Sequence, residues 1–349
     1  MKAKKLIFVW LMLTVLLLTP ITVSAEQNIT GDFFNKNLNM NGEILSNYEL
    51  QYSFVMCNDA MYMPLSKDIC KIVGVEAEID WDGHTLKLLK TKPTQKNFSE
   101  RWLKNDNQDI SLNRASNWKI KVYQETPQQG DVIGALDLAI ESIDLKGSSI
   151  LVKDDILYVP IGALMDSQVL GWSSYFDNNY GICISTDEGV NAKEYWDEGE
   201  SNYNGALVNY VKSYNQQLST TKAQELVFLF KRAAAVNHVD EKLLMAIAQK
   251  ESKFQANAIS SGGARGIMQI MPRTTASYGI SAAQLLNPKT NIDFGAHYIA
   301  NGIERYGGNT TIALSAYNQG SGTVSRGSYS TGYANTVLAA YHSIANYAK

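Results

Sequence analysis

Hydrophobic and polar positions follow distinct rhythms along the chain, and each rhythm predicts a different kind of structure. From Gly42 to about Asp187 the apolar runs are short and alternating, at Glu49 to Met56, Leu86 to Leu89, Lys119 to Tyr123, Ile150 to Val152 and Gly181 to Ser185. Turn residues such as Asp82-Gly83 separate several of them, which predicts a β-rich α+β domain with few helices. From Lys222 onward the spacing becomes helical, and Ala223 to Val236 carries an apolar stripe through Leu226, Phe230 and Ala233. Further helices are expected over Asp240–Phe254, Pro272–Tyr278, Thr290–Tyr306, Thr310–Asn318 and Tyr333–Ala348, separated by loops marked with Gly and Asn. The expected fold class is therefore multidomain: a β-rich N-terminal domain followed by an all-α domain.

The edges of these blocks have their own patterns. Residues 1–25 open with Lys2, Lys4 and Lys5, continue through an almost wholly apolar Leu6 to Leu18, and end at Val23-Ser24-Ala25. That order is the pattern of a cleaved secretory signal peptide. The apolar run is shorter than the ~20 residues of a membrane span, although an uncleaved anchor is the alternative. No Cys lies near its end to make a lipoprotein. Residues 26–41 are polar and Asn-rich and read as a flexible lead-in. Residues 188–221 turn acidic and then rich in Tyr, Asn and Gln; they read as a linker, of which Gly205 to Gln217 could form an extra helix.

Within 42–187 the chain repeats itself. MYMPLSKDICKIVGVEAEIDWDGHTLKL from Met61 is echoed by LYVPIGALMDSQVLGWSSYFDNNYGICI from Leu157. Tyr62 and Pro64 answer Tyr158 and Pro160, and Trp81-Asp82 answers Phe176-Asp177. A strand–helix–strand–strand unit used twice would account for this. The Tyr-x-Pro and Trp-Asp signatures resemble the copper amine oxidase N-terminal-like domain, a stalk-type module of exported bacterial proteins. The resemblance implies a binding or spacing role toward cell-wall or envelope components and no catalysis. Copper is not implied, because His84 is the region's one histidine and lacks companion ligands.

The formal charge is −3, and loss of the leader would take it to −6. An exported, acidic protein lacks the clustered Lys and Arg that nucleic acid requires. Cys57, Cys70 and Cys183 are odd in number and sit in apolar surroundings, which favours buried structural thiols over a disulfide framework.

Chemistry gathers at Asp240–Pro272. Asp240 is placed to cap a helix with Glu241 in its first turn. Leu244, Ala248 and Glu251 fall at i, i+4 and i+7, with Ile247 four residues before Glu251, so the Glu251 carboxylate lies on the apolar stripe. Burial there would raise its pKa and hold a proton for general acid catalysis. The bland alternative is a solvated side chain near a helix end. Four motifs then occur in order: Glu251-Ser252; Ser260 to Pro272, read as Ser-Ser-Gly-Gly-Ala-Arg-Gly-Ile-Met-Gln-Ile-Met-Pro; Asn287-Pro288 through Asn291-Ile292 to Gly295 and Tyr298; and Ala316-Tyr317-Asn318-Gln319-Gly320.

Together these resemble the catalytic domain of soluble lytic transglycosylases, related in fold to goose-type lysozyme, over residues 222–349. The resemblance implies an all-α lysozyme-like fold, peptidoglycan glycan strands as substrate, and no metal or cofactor. Glu251 would be the single acid/base, cleaving between N-acetylmuramic acid and N-acetylglucosamine and leaving a 1,6-anhydro end. Ser260, Gln269 and Met271 would line the saccharide groove, Tyr317 and Asn318 would hold sugar near Glu251, and Tyr333 would orient the carboxyl. Each has a plainer alternative: Met271, with Met268 and Ile270, as core; Tyr317 as a packed aromatic; the loop glycines as loop geometry alone. Ser252 reads as a helix-end structural residue, since no His is placed to activate it. One departure stands out: Tyr329-Ser330-Thr331-Gly332-Tyr333 lacks the Glu that the family often carries before the final tyrosine. A lysozyme-like hydrolase and a non-catalytic wall-binding scaffold are the alternative functions.

Overall fold

A computed structural model of the chain describes residues 28–96, 110–125, 136–140 and 143–349; the expected leader lies outside them. The β-rich region runs β1 Asn28–Phe33, β2 Asn37–Met40, β3 Glu43–Leu45, β4 Val55–Cys57, β5 Ala60–Pro64, α1 Lys67–Val73, β6 Val75–Asp80 and β7 Thr85–Lys90. A second series repeats that order: β8 Ile110–Ala115, β9 Lys119–Glu125, β10 Leu136–Ile140, β11 Ile150–Lys153, β12 Ile156–Pro160, α2 Ile161–Leu164, β13 Ser173–Asp177 and β14 Gly181–Ser185. The duplication seen in sequence thus extends over the whole region.

The two halves interlock. A closed barrel has the order β1-β4-β5-β12-β11-β8, with β5 and β12 meeting at its centre. There Tyr158 faces Pro64 and Pro160 faces Tyr62, so the two Tyr-x-Pro signatures pair across a local two-fold. Each half's hairpin then takes a strand from the other half: β9 runs parallel to β7, and β2 runs parallel to β14.

Two expectations are corrected. Of the lead-in expected at 26–41, the described residues 28–41 are not flexible, because β1 and β2 belong to the sheets and Phe34, Leu38 and Met40 are buried. Asn39 is buried, donates to the Tyr180 hydroxyl at 3.0 Å and accepts the Gly42 N–H at 2.9 Å, which satisfies its polar atoms inside. Nor is 188–221 a plain linker. Half of it is α3, Glu198–Tyr214, and the end of its acidic run is that helix's N-terminus: Asp197 accepts the Glu200 N–H, and Glu198 and Glu200 lie in the first turn. Leu207, Val208, Tyr210 and Val211 then bury into the helical core. The expected strand at Glu49–Met56 is realised only from Val55, because the buried Asn47 side chain donates to the Phe34 and Phe54 carbonyls and holds a tight turn instead.

The helical lobe adds α4 Thr220–Asn237, α5 Glu241–Ser252, α6 Pro272–Thr275, α7 Pro288–Arg305, α8 Thr310–Gln319, α9 Ser321–Ser325 and α10 Gly332–Tyr347. At the centre is α5, whose middle, Leu243 through Ala248, is buried on every side. It packs against α10, α4 and α7. Asp240 caps its start by accepting the Lys242 N–H at 2.8 Å, and Lys253 ends it in a left-handed conformation.

The two regions share an extensive seam. Ser201 donates to Asp177 at 2.8 Å, and Asn204 and Gln224 both donate to Asn179. Tyr48, from the β-rich region, is buried within the core of the helical lobe. The three cysteines are unpaired; Cys57 and Cys183 are buried and Cys70 partly so. Burial pushes the Cys70 and Cys183 thiols up to about 11, in keeping with inert structural thiols.

Candidate active site

Glu251 sits in the last turn of α5, partly buried where that apolar helix reaches the surface. Burial raises its pKa, because ionising it there forfeits hydration. Two weaker effects pull the other way: a hydrogen bond from the Tyr333 hydroxyl, 2.6 Å from Oε1, and the charge of Lys250. No second carboxylate acts on its ionisation among the described residues. Tyr333 comes from the first turn of α10, 82 residues away in sequence. Its own hydroxyl is pushed up by burial and by the Glu251 charge, so it stays a donor.

Beside this pair lies a turn built from residues 265–270. Arg265 and Ile270 exchange backbone hydrogen bonds at 2.9 Å, and Gly266 and Gln269 close the turn between them at 3.1 Å. Gly266 has φ +77°, and a Cβ there would strike the Leu285 carbonyl and the Asn291 side chain, so only glycine fits. Gln269 takes the left-handed region at φ +51° and fastens itself with two donations, to Ala258 at 3.1 Å and Gly266 at 2.8 Å. Ser252 staples the turn to α5 by donating to the Ile267 carbonyl at 2.7 Å, the structural role its position suggested.

Asn291 fixes the same turn from α7. Fully buried, it accepts the Met268 N–H at 2.7 Å and donates to the Arg265 and Leu285 carbonyls at 2.9 Å each. Asn287-Pro288 starts that helix: Asn287 accepts the Thr290 N–H, and Pro288 fills the first helical position. One turn after Asn291, Gly295 leaves room for the Met268 side chain, which a Cβ would displace. The Met268 carbonyl in turn accepts the Tyr317 hydroxyl at 2.9 Å. Burial raises the Tyr317 pKa well above normal, and the Glu251 charge and the neighbouring Tyr298, 5.6 Å between ring centroids, add to this.

The structure therefore gathers Glu251, Tyr333 and Tyr317 with the Met268–Gln269 turn. The other expected residues are not hydrogen-bonded to this cluster among the described contacts. Ser260 is exposed and its Oγ accepts the Ala264 N–H at 3.0 Å, which closes its own loop. Met271 is partly buried as the residue before α6, and Asn318 is exposed near the end of α8. Tyr329 stands where the family often carries a Glu; its neighbour Ser330 is held by Gln319, which donates to the Ser330 carbonyl at 2.7 Å and accepts its N–H at 3.0 Å. Sequence reading assigned no role to Asn291. The available signal was an amide on the inner face of a helix that opens with Asn-Pro. Among the described residues no three His, Cys, Asp or Glu side chains meet where a metal ion could bind.

Comparison with known proteins converges on this lobe. The family described as "Transglycosylase SLT domain" matches residues 228–345. The soluble lytic murein transglycosylase of Escherichia coli K12 is 38% identical over 104 residues, covering 28% of this chain and 16% of that protein. Membrane-bound lytic murein transglycosylase F of Ectopseudomonas mendocina is 38% identical over 100 residues, 27% of this chain and 20% of that protein. The chain thus spans a fifth or less of the length of either relative. The crystal structure of the 70 kDa soluble lytic transglycosylase of Escherichia coli aligns with a TM-score of 0.29 and 28% identity, over 44% of this chain and 28% of that one. Residues 228–345, the part of the chain that carries Glu251, the Gly266–Gln269 turn, Tyr317 and Tyr333, form a transglycosylase SLT domain.

Proposed function

We propose that this protein is an exported peptidoglycan lytic transglycosylase in which Glu251 is the sole acid/base. The observation that carries the reading is a partly buried carboxyl at the end of α5, raised in pKa by burial and held by the Tyr333 hydroxyl at 2.6 Å. Glycosidases of the usual kind need two carboxyls about 5–9.5 Å apart, one of them to act as nucleophile or to activate water. One carboxyl suffices when the substrate supplies the attacking groups.

Glu251 first gives its proton to the oxygen of the glycosidic bond as the C1–O bond of the muramoyl residue breaks. The acetamido oxygen of the same sugar closes on C1 from the opposite face. The muramoyl 6-hydroxyl then attacks C1, displaces the acetamido oxygen and returns its proton to the Glu251 carboxylate. No water enters, and the carboxyl ends in its starting state. Tyr333 occupies Oε1, which leaves Oε2 to carry the travelling proton. Tyr317 and the Gln269 turn form the adjoining wall of the groove, with Ser260, Met271 and Asn318 further along it. The β-rich region, read as a stalk-type module, would meet wall or envelope components. Export rests on the leader pattern of residues 1–25.

The test is mass analysis of the fragments released from purified sacculi. Products one water lighter than hydrolysis products are expected. Reducing-end muramic acid would instead make the enzyme a muramidase, and release of nothing would make it a scaffold.

A further inference from the structure

A cavity of about 960 Å³ lies between the β-rich region and the helical lobe, a size that suits a small ligand. Its apolar lining includes Met56, Met61 and Leu226, and its charged groups carry both signs. Asp32 and Asp59 put two exposed carboxylates in the lining. Lys36 lies 5.0 Å over the ring of Phe176, which is 50% exposed, and donates one hydrogen to the Asn178 carbonyl at 2.9 Å. Lys222 and Glu225, also in the lining, pair with each other at 2.8 Å.

The internal duplication shows what is particular about this place. Lys119 pairs with Thr85 as Asn37 pairs with Gly181, so the residues just before them, Trp118 and Lys36, occupy equivalent positions. In the copy away from the helical lobe, Trp118 packs against Trp81 with ring centroids 5.3 Å apart. In the copy that faces the lobe, an ammonium replaces that indole over Phe176. The cleft therefore presents an apolar floor with a cation and two carboxylates, which complements a ligand bearing both an amine and a carboxylate.

We propose that this inter-lobe cleft holds the short peptide carried by a glycan strand bound at Glu251, with Asp32 and Asp59 taking an amine-bearing side chain and Lys36 a carboxylate. The proposal rests on the lytic reading given above. Reach permits it: Ala256, in the cleft lining, follows Glu251 by five residues, so the two Cα atoms lie within about 18 Å, the span of an extended five-residue peptide. A second length of glycan fits less well. Lys36 covers a face of Phe176 that a sugar ring would stack on.

The experiment uses the full chain in two arms. In the first, protein carrying Glu251→Gln is titrated by calorimetry with a synthetic pentapeptide bearing one side-chain amine and a free C-terminal carboxylate. Binding is expected, weakened about three- to tenfold by Asp32→Asn with Asp59→Asn, and similarly by Lys36→Gln. In the second, the active chain is assayed on strands with their peptides and on strands stripped by an amidase. The Asp32→Asn, Asp59→Asn variant should raise KM on peptide-bearing strands and leave stripped strands unchanged. Absent peptide binding, equal losses on both substrates, or variant-sensitive binding of stripped glycan would overturn the cleft assignment. Peptide binding without any strand cleavage would support the cleft while removing the enzymatic reading, so the two failures are distinguishable.

Discussion

Replacing Glu251 with Gln keeps the side-chain volume and the acceptor for Tyr333 but removes the titrating proton. It should change activity and stability in opposite directions. General acid–base catalysis contributes about 10²–10⁴-fold, and a residue that serves both half-reactions stands at the upper end, so sacculus lysis should fall by roughly 10³-fold or more. Stability follows from the raised pKa. Burial makes the folded protein hold the Glu251 proton more tightly than the unfolded chain does, where the ordinary value is about 4.3. As pH climbs from there through the raised folded value, the native state binds more protons than the unfolded state, so wild-type stability declines across that window and stays lower above it. Glutamine has no such dependence. A buried charge without full compensation costs on the order of 1–3 kcal/mol, and in a lobe of roughly 150 residues each kcal/mol moves Tm by about 2–4 °C. Scanning calorimetry should find the variant roughly 2–12 °C more stable at pH 7.5, with the gain vanishing near pH 4. The reasoning fails if the offset is the same at both pH values, if it has the opposite sign, or if lysis stays within about tenfold of wild type.

Tyr333→Phe removes the 2.6 Å hydrogen bond that favours ionised Glu251, so the alkaline limb of the pH–rate profile should move to higher pH while turnover falls by roughly tenfold. An unshifted limb in a pH profile would contradict the assignment. Asn291→Ala leaves the buried Met268 N–H without its acceptor and two carbonyls without a donor, a loss of about 3 kcal/mol visible as a fall in Tm of roughly 6–12 °C. A thermal-shift change under two degrees would show that water replaces the amide. A chain cut to residues 222–349 loses Tyr48, Leu207, Val208, Tyr210 and Val211 from the helical core, each worth ~1.5–3 kcal/mol, which together rival a typical net stability of about 5–15 kcal/mol. It should be unfolded or aggregated by circular dichroism; a cooperative melt like that of the full chain would refute this.

What could be read from the residues was what is local or periodic. The i, i+4, i+7 placement of Glu251 put it on the buried stripe of α5, and Asp240 marked that helix's start to within a residue. The paired Tyr-x-Pro units announced the duplication, because a repeat leaves its mark in sequence whatever its strands pair with. Long-range pairing left no such mark. Nothing in the Asn-rich stretch around Asn39 says that Tyr180, 141 residues later, will satisfy its amide, so polar composition was taken for solvation. The acidic run before α3 misled for a related reason. Charges that suit a helix N-terminus look, by composition alone, like those of a linker. At the site, Tyr333 bonds Glu251 across 82 residues and Tyr317 bonds the Met268 carbonyl, whereas Ser260 is occupied within its own loop, which no motif spacing conveys.

The physical boundary of the helical lobe differs from the boundary of its sequence match, and the difference bears on how the site is held. The match spans 228–345, but the lobe's core includes α3 and reaches Tyr48 in the β-rich region. Arg232 lies 5.0 Å and Lys289 5.6 Å from the Tyr48 ring centroid, and both cations pair with Asp293, at 2.5 and 2.9 Å. The two cations share the Asp293 carboxylate, and the electron-rich face of Tyr48 adds to what holds them. Asp293 is two residues from Asn291 on α7, and Asn291 fixes the turn whose Met268 carbonyl receives Tyr317 beside Glu251. Tyr48 thus bears on the helix that shapes the wall of the groove. A spacer joined by a flexible tether would leave that helix's charged face to water. Here the β-rich region completes it, so the unit that positions Glu251 comprises both regions.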